Sequence, residues 1–206
     1  MRRYSILTGA VFLCSLIGLP LTISSPGLAG GPVRSEKPAP SPAKSPIDRK
    51  IGAVRLGMAL EEFLKSVKNT EQSGPNLGLI EDERSFEVAR ASLPEEVRSM
   101  GCRFLHGRLF RITVEYRDMV FDEVRWDGLL KKNMEQYGKV RIQSKTLGER
   151  LVEIIQWDDP QTRLILQRAH RMGFESKKFV KRYVVVMILL DQALWKERQE
   201  SEGSLF

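Results

Sequence analysis

Between residues 51 and 200 apolar positions recur with two periods. Leu60, Phe63, Leu64 and Val67 stand at i, i+3, i+4 and i+7, which predicts an amphipathic helix over 60–68. Glu61 and Glu62 suit its N-terminus electrostatically. Residues 70–78 contain Gly74, Pro75 and Gly78 and read as a loop. Ser92-Leu93-Pro94-Glu95 has the form of a capping box, predicting a short helix that Gly101 ends. Phe110, Ile112, Val114 and Tyr116 alternate with Arg111, Thr113, Glu115 and Arg117, a strand with one dry and one wet face. Cys102 to Leu105 precedes it, and His106-Gly107 suits a tight hairpin turn.

Trp126, Leu129, Leu130, Met134 and Tyr137 share one face of a predicted helix over 121–137, with Gly138 as its left-handed stop. Three strands follow. Leu151–Trp157 and Arg163–Gln167 are joined by Asp158-Asp159-Pro160-Gln161, and Val180–Leu190 is apolar on both faces, as a central strand is. A last helix spans about Gln192 to Gln199 and carries Leu194 and Trp195. Short turns between neighbouring strands predict an α+β fold, a mostly antiparallel sheet with helices packed on one face.

The N-terminus follows different rules. Met1-Arg2-Arg3 is basic, Ile6 to Leu19 is apolar and uncharged, Pro20 breaks it, and Gly27 and Ala29 suit positions −3 and −1 of a signal peptidase site. Residues 1–29 read as a signal peptide. The other reading is a retained anchor, against which the apolar stretch is short of the roughly 20 residues a span needs. Cys14 lies within this stretch behind bulky Val11-Phe12-Leu13, so it does not read as a lipidation site. Residues 30–50 hold five prolines with Ser, Ala and Lys, and read as an extended tether or a disordered tail. Residues 51–200 form the expected single domain, and 201–206 a flexible tail.

Charge sharpens this division. The net +7 splits into +2 from Arg2 and Arg3, +3 from residues 30–50, and +2 from residue 51 onward. Residues 163–182 alone carry seven Arg or Lys against one acid, Glu175. Arg168, Arg171, Lys177, Lys178, Lys181 and Arg182 are therefore candidates to bind an anion, on a loop and its flanking strand ends. The same residues also read as solvated edge protection. Trp157, beside an acidic turn, and Phe174 are candidates for a partner surface, whereas Trp126 and Trp195 read as core.

The segment Ile51-Gly52-Ala53-Val54-Arg55-Leu56-Gly57-Met58-Ala59-Leu60-Glu61-Glu62-Phe63 resembles the helix-opening motif of small exported α/β domains of the BamE (SmpA/OmlA) type and of β-lactamase-inhibitor-like modules. Ala59 stands where those domains carry a capping Ser or Thr. The resemblance implies an envelope protein that binds a partner, and brings no catalytic residue with it.

Metal and catalytic chemistry find little footing. His106 and His170 have no second ligand at zinc spacing, and no CxxC exists. Asp158-Asp159-Pro160 reads as a turn rather than a calcium loop. No Gly-x-Ser-x-Gly, P-loop or dinucleotide fingerprint is present. Cys102, in an apolar strand pattern, reads as a buried inert thiol. The expectation is an exported, periplasmic or secreted, non-enzymatic binding or structural protein. It has no cofactor, no metal and no catalytic residue, and its partner is an envelope protein or an anionic envelope surface. Nucleic acid ranks below these, and no transmembrane span is expected in the mature chain. The alternatives are a small exported hydrolase with a site assembled from distant residues, or a basic adhesin for anionic lipid or envelope polymer.

Overall fold

The computed structural model describes residues 41–73, 82–117, 123–147, 150–175 and 178–203. The expected signal peptide and most of the tether lie outside them. The fold is α+β. Its strands are β1 (Ser41–Pro42), β2 (Lys50–Ile51), β3 (Val54–Arg55), β4 (Thr70–Gln72), β5 (Glu83–Val88), β6 (Val97–Leu105), β7 (Arg108–Tyr116), β8 (Gln143–Leu147), β9 (Arg150–Asp158), β10 (Thr162–Glu175) and β11 (Lys178–Asp191). The helices are α1 (Leu60–Ser66), α2 (Glu123–Tyr137) and α3 (Gln192–Gly203). Among the described residues nine strands make one sheet in the order β1-β9-β10-β11-β7-β6-β5-β4, with β8 also on β9, while β2 and β3 pair separately. The pairing is antiparallel except for the short parallel contact of β1 with β9.

Local sequence explains the elements that match expectation. His106 and Gly107 have φ of +48° and +72°, which lets two residues join β6 to β7 with the twist a hairpin needs. Gly138 ends α2 at φ +98°, and its N–H donates to the Met134 carbonyl at 3.0 Å. Apolar β11 lies between β10 and β7, in the interior of the sheet.

Three expectations are corrected. Thr70–Gln72, expected within a loop, is the edge strand β4. The predicted helix from Ser92 to Gly101 does not form. Residues Arg90–Ser92 make one 3-10 turn and Val97–Leu105 is a strand. The Ser92 hydroxyl donates to the Lys68 carbonyl instead of capping a helix. Long-range pairing of β6 with both β5 and β7 outweighs the local capping signal. Finally, the domain begins before residue 51. Ser41–Pro42 pair with Trp157–Asp158, Ala43 and Lys44 donate backbone bonds to Asp158 and Tyr137, and Ile47 is buried. Composition hid this, because backbone bonds rather than apolar side chains hold most of the segment.

The main core lies on one sheet face, under α1 and α2. Phe63, Phe86 and Phe104 meet there with ring centroids 5.1 to 5.9 Å apart, next to Cys102, Ile112, Leu166, Val185, Leu189 and Trp126. One-sided packing describes α1 and α2. α3 differs. A bulge between the Arg103–Arg111 and Phe104–Leu109 pairs turns Phe110 out of the main core cluster, and Trp195 of α3 stacks on it at 6.2 Å.

Candidate basic β-arm

The β10–β11 pairing runs unbroken from Thr162↔Asp191 to Glu175↔Lys178. Its neighbours stop earlier. β9 accompanies β10 only as far as Ala169↔Val152, and β7 accompanies β11 only as far as Val186↔Glu115. Among the described residues, His170–Glu175 and Lys178–Tyr183 therefore pair with each other alone. Six residues of strand project about 20 Å at ~3.4 Å per residue. The expected basic loop is thus a two-stranded arm. Arg171 lies opposite Arg182, Met172 opposite Lys181, Phe174 opposite Phe179, and Glu175 opposite Lys178. Lys177 lies outside the described residues.

Arg168 is at the root, and its role differs from the expected one. Its guanidinium pairs with the Glu153 carboxylate at 2.6 and 2.7 Å and lies 4.9 Å from the Trp126 ring centroid and 5.0 Å from that of Tyr183. Tyr183 in turn donates its hydroxyl to Glu123 Oε1 at 2.8 Å, at the start of α2. The Arg168 side chain is 12% exposed. It is an internal clamp joining β9, β10, β11 and α2, and its guanidinium is not placed to meet an outside anion.

Trp157 is also corrected. It is fully buried, its indole N–H donates to the Gly138 carbonyl at 2.8 Å, and its ring lies 6.3 Å from that of Tyr137. Ser41–Pro42 run along β9 at this point, so the strand end beside the acidic turn is covered. Phe174, the other partner-surface candidate, stands in the arm. Trp126 is buried as read.

Elsewhere the titratable groups serve structure. Asp158 accepts two bonds from Arg163 at 2.9 Å. Asp159 accepts from the N–H groups of Gln161 and Thr162, and its second oxygen accepts from Ile47 N–H at 2.6 Å. This is the turn chemistry expected of Asp-Asp-Pro. The buried carboxylate of Glu83 accepts from Arg198 Nε at 2.9 Å and lies 3.3 Å from Arg103 Nη1. Burial pushes the Cys102 thiol up to about 12, so it stays protonated at neutral pH. Burial, with Glu96 nearby, also raises Tyr116. His106, half-exposed in its turn, lies between Asp82 at 3.5 Å and Glu197 at 3.2 Å. It borders a shallow cleft of about 540 Å³ lined also by Leu60, Glu61 and Arg84. Among the described residues no three His, Cys, Asp or Glu side chains are placed to hold a metal ion, and no helix is long and apolar enough to cross a membrane.

The sequence reading missed the arm's reach and the Arg168 clamp. The arm had a signal: Phe174-Glu175 and Lys178-Phe179 flank a two-residue gap, the spacing of a tight hairpin. No family model, no curated protein and no solved structure matches the chain.

Proposed function

We propose that the protein is an extracytoplasmic, non-catalytic binding domain of the cell envelope, carried on a proline-rich tether, whose binding element is the β10–β11 arm. The observation that carries this reading is the arm itself. Among the described residues the ribbon outruns both neighbours and its two outer edges are unpaired, and Arg171, Lys178, Lys181 and Arg182 stand on it with one acid, Glu175. Open edges on a long strand are a liability that natural sheets cover or shorten, so a retained one invites a binding role. The signal-like residues 1–29 support an extracytoplasmic place for it. The hydrolase alternative has weaker support. The cleft beside His106 is lined by Ala59, Leu60, Glu61, Asp82, Arg84 and Gly107, with no hydroxyl or thiol nucleophile among them.

The test is affinity capture from an envelope fraction by the protein and by a variant in which residues 171–182 are replaced by Asn-Gly. His170 and Tyr183 are register partners, so a two-residue turn joins them without disturbing the root. Capture of a defined component that is lost with the shortened arm is the expected result. The same component bound equally by both proteins contradicts the reading.

A further inference from the structure

The two faces of the sheet are covered unequally. Ile155, Leu166 and Val185 are buried on the face under α1 and α2. Side chains alternate along a strand, so the residues between them point to the other face. Register lines five of these into one cross-strand row: Gln156, Ile165, Ile188, Thr113 and Gly101. Ile154, Gln167 and Val186 begin the next row, which continues to Glu115. Among the described residues α3 meets this face at one end, where Trp195 stacks on Phe110 and Arg198 pairs with Glu83. Away from that end Ile154, Ile165 and Val186 are only half-buried.

Gly101 indicates how close a cover comes. Glycine inside a strand weakens it, and its usual reasons are a positive φ, a bulge, or another backbone approaching closely. Gly101 has no positive φ, and it lies between the two register shifts of β6 rather than at either. A Cβ there would meet nothing within 4 Å. Its reason is then an approach from outside the described residues.

Size and charge select the occupant. The rows cross five strands, β9, β10, β11, β7 and β6, which is about 24 Å at ~4.8 Å per strand. A helix covers a strip about 10 Å wide, whereas a sheet packed face to face covers the whole. The one charge in these rows, Glu115, is met by Arg98 at 3.1 Å. Gln156 and Gln167 both donate and accept hydrogen bonds, so the face can meet its own copy without opposing charges or unmatched donors. We infer that this face docks a second copy of the chain, sheet on sheet. Two rows cover roughly 350 Å² in plan per copy, below the ~800 Å² per partner of a standard interface, so the dimer is reversible.

The experiment is sedimentation velocity on the protein as recovered from the producing cell, from about 1 µM to about 500 µM. The expected result is a monomer–dimer shift with concentration. Gly101→Arg fills the open space without touching the monomer and weakens the dimer about 10-fold or more. Gln167→Glu and Gln167→Lys each set like charges against themselves and weaken it by a similar factor, while an equal mixture of the two recovers it. Unchanged fluorescence of the buried Trp126 and Trp157 confirms that each variant is folded. A monomer at every concentration, a dimer indifferent to Gly101→Arg, or a mixture no better than its components overturns the inference. So does loss of the dimer in the shortened-arm variant, which keeps every residue of this face. A monomer whose envelope capture falls with Gly101→Arg gives the face to another protein and also overturns it. Sedimentation reads this face and the capture experiment reads the arm, so the two proposals fail separately.

Discussion

Two arginine pairs face each other across strands, one within the sheet and one in the arm. Arg103 lies opposite Arg111 in the β6–β7 hairpin, and Arg171 lies opposite Arg182 in the arm. At the first, the sheet supplies a carboxylate. Glu83, fully buried on neighbouring β5, pairs with Arg103 and with Arg198 of α3, and Glu202 meets Arg198 at 2.9 Å. At the second, register brings no carboxylate across, and the arm's one acid faces Lys178. Charge inside the domain is matched by the fold. On the arm, register sets arginine against arginine and Lys178 against Glu175.

The largest way to break the comparison is at Glu83. Glu83→Gln leaves Arg198, 7% exposed, without its central counter-charge. We expect a loss of about 3–5 kcal/mol in urea unfolding, the usual consequence of removing one member of a buried ion pair. A loss under about 1 kcal/mol contradicts the view that this cluster is internally balanced.

Cys102 tests how closed the core beside that cluster is. Its thiol is raised from 9.0 to about 12 in the folded protein. Above pH 9 the unfolded chain releases a proton that the folded chain keeps, so stability falls as pH rises and levels off near 12. By pH 11 this single group removes about 2–3 kcal/mol, at ~1.4 kcal/mol per pH unit. Cys102→Ala removes this part of the slope and leaves the smaller share of Tyr116, which burial also raises; chemical unfolding of both proteins from pH 8 to 11 checks it.

Arg168 sits at the border between the two regimes. Arg168→Ala removes the guanidinium paired with the Glu153 carboxylate, 18% exposed, and the cation that lies over the Trp126 and Tyr183 rings. We expect a loss of about 2 kcal/mol, below the fully buried case because the pair is partly solvated. Amide exchange should quicken at the arm's root, and Arg168→Lys should recover only part of the loss, since it lacks the planar fork.

The smallest effect has the opposite sign. Arg171→Gln with Arg182→Gln relieves cross-strand repulsion and should leave stability unchanged or raise it by about 0.2–1 kcal/mol. A clear destabilisation by thermal unfolding shows that these arginines serve the fold, which erases the contrast.

Elements with strong local signals were legible in sequence. The alternation of Phe110–Tyr116, the face from Trp126 to Tyr137, the His106-Gly107 turn and the apolar run of β11 each name their own structure. The failures are non-local. Ser92-Leu93-Pro94-Glu95 carries a helix signal that pairing of β6 with two strands overrides. Trp157 is buried because Ser41–Pro42, more than 100 residues away, run beside it. Arg168 is clamped by Glu153, Trp126 and Tyr183 from three other elements. The basic cluster was visible as composition. Its form as a projecting arm depends on where β7 and β9 stop, which no local pattern encodes.

The most direct measurement is residue-resolved amide exchange of the intact protein with and without the component captured from the envelope fraction. The prediction is slowed exchange confined to residues 170–175 and 178–183, with the strands around Glu83 unchanged. Unaltered exchange along the arm, or protection appearing instead around Glu83 and α3, contradicts it.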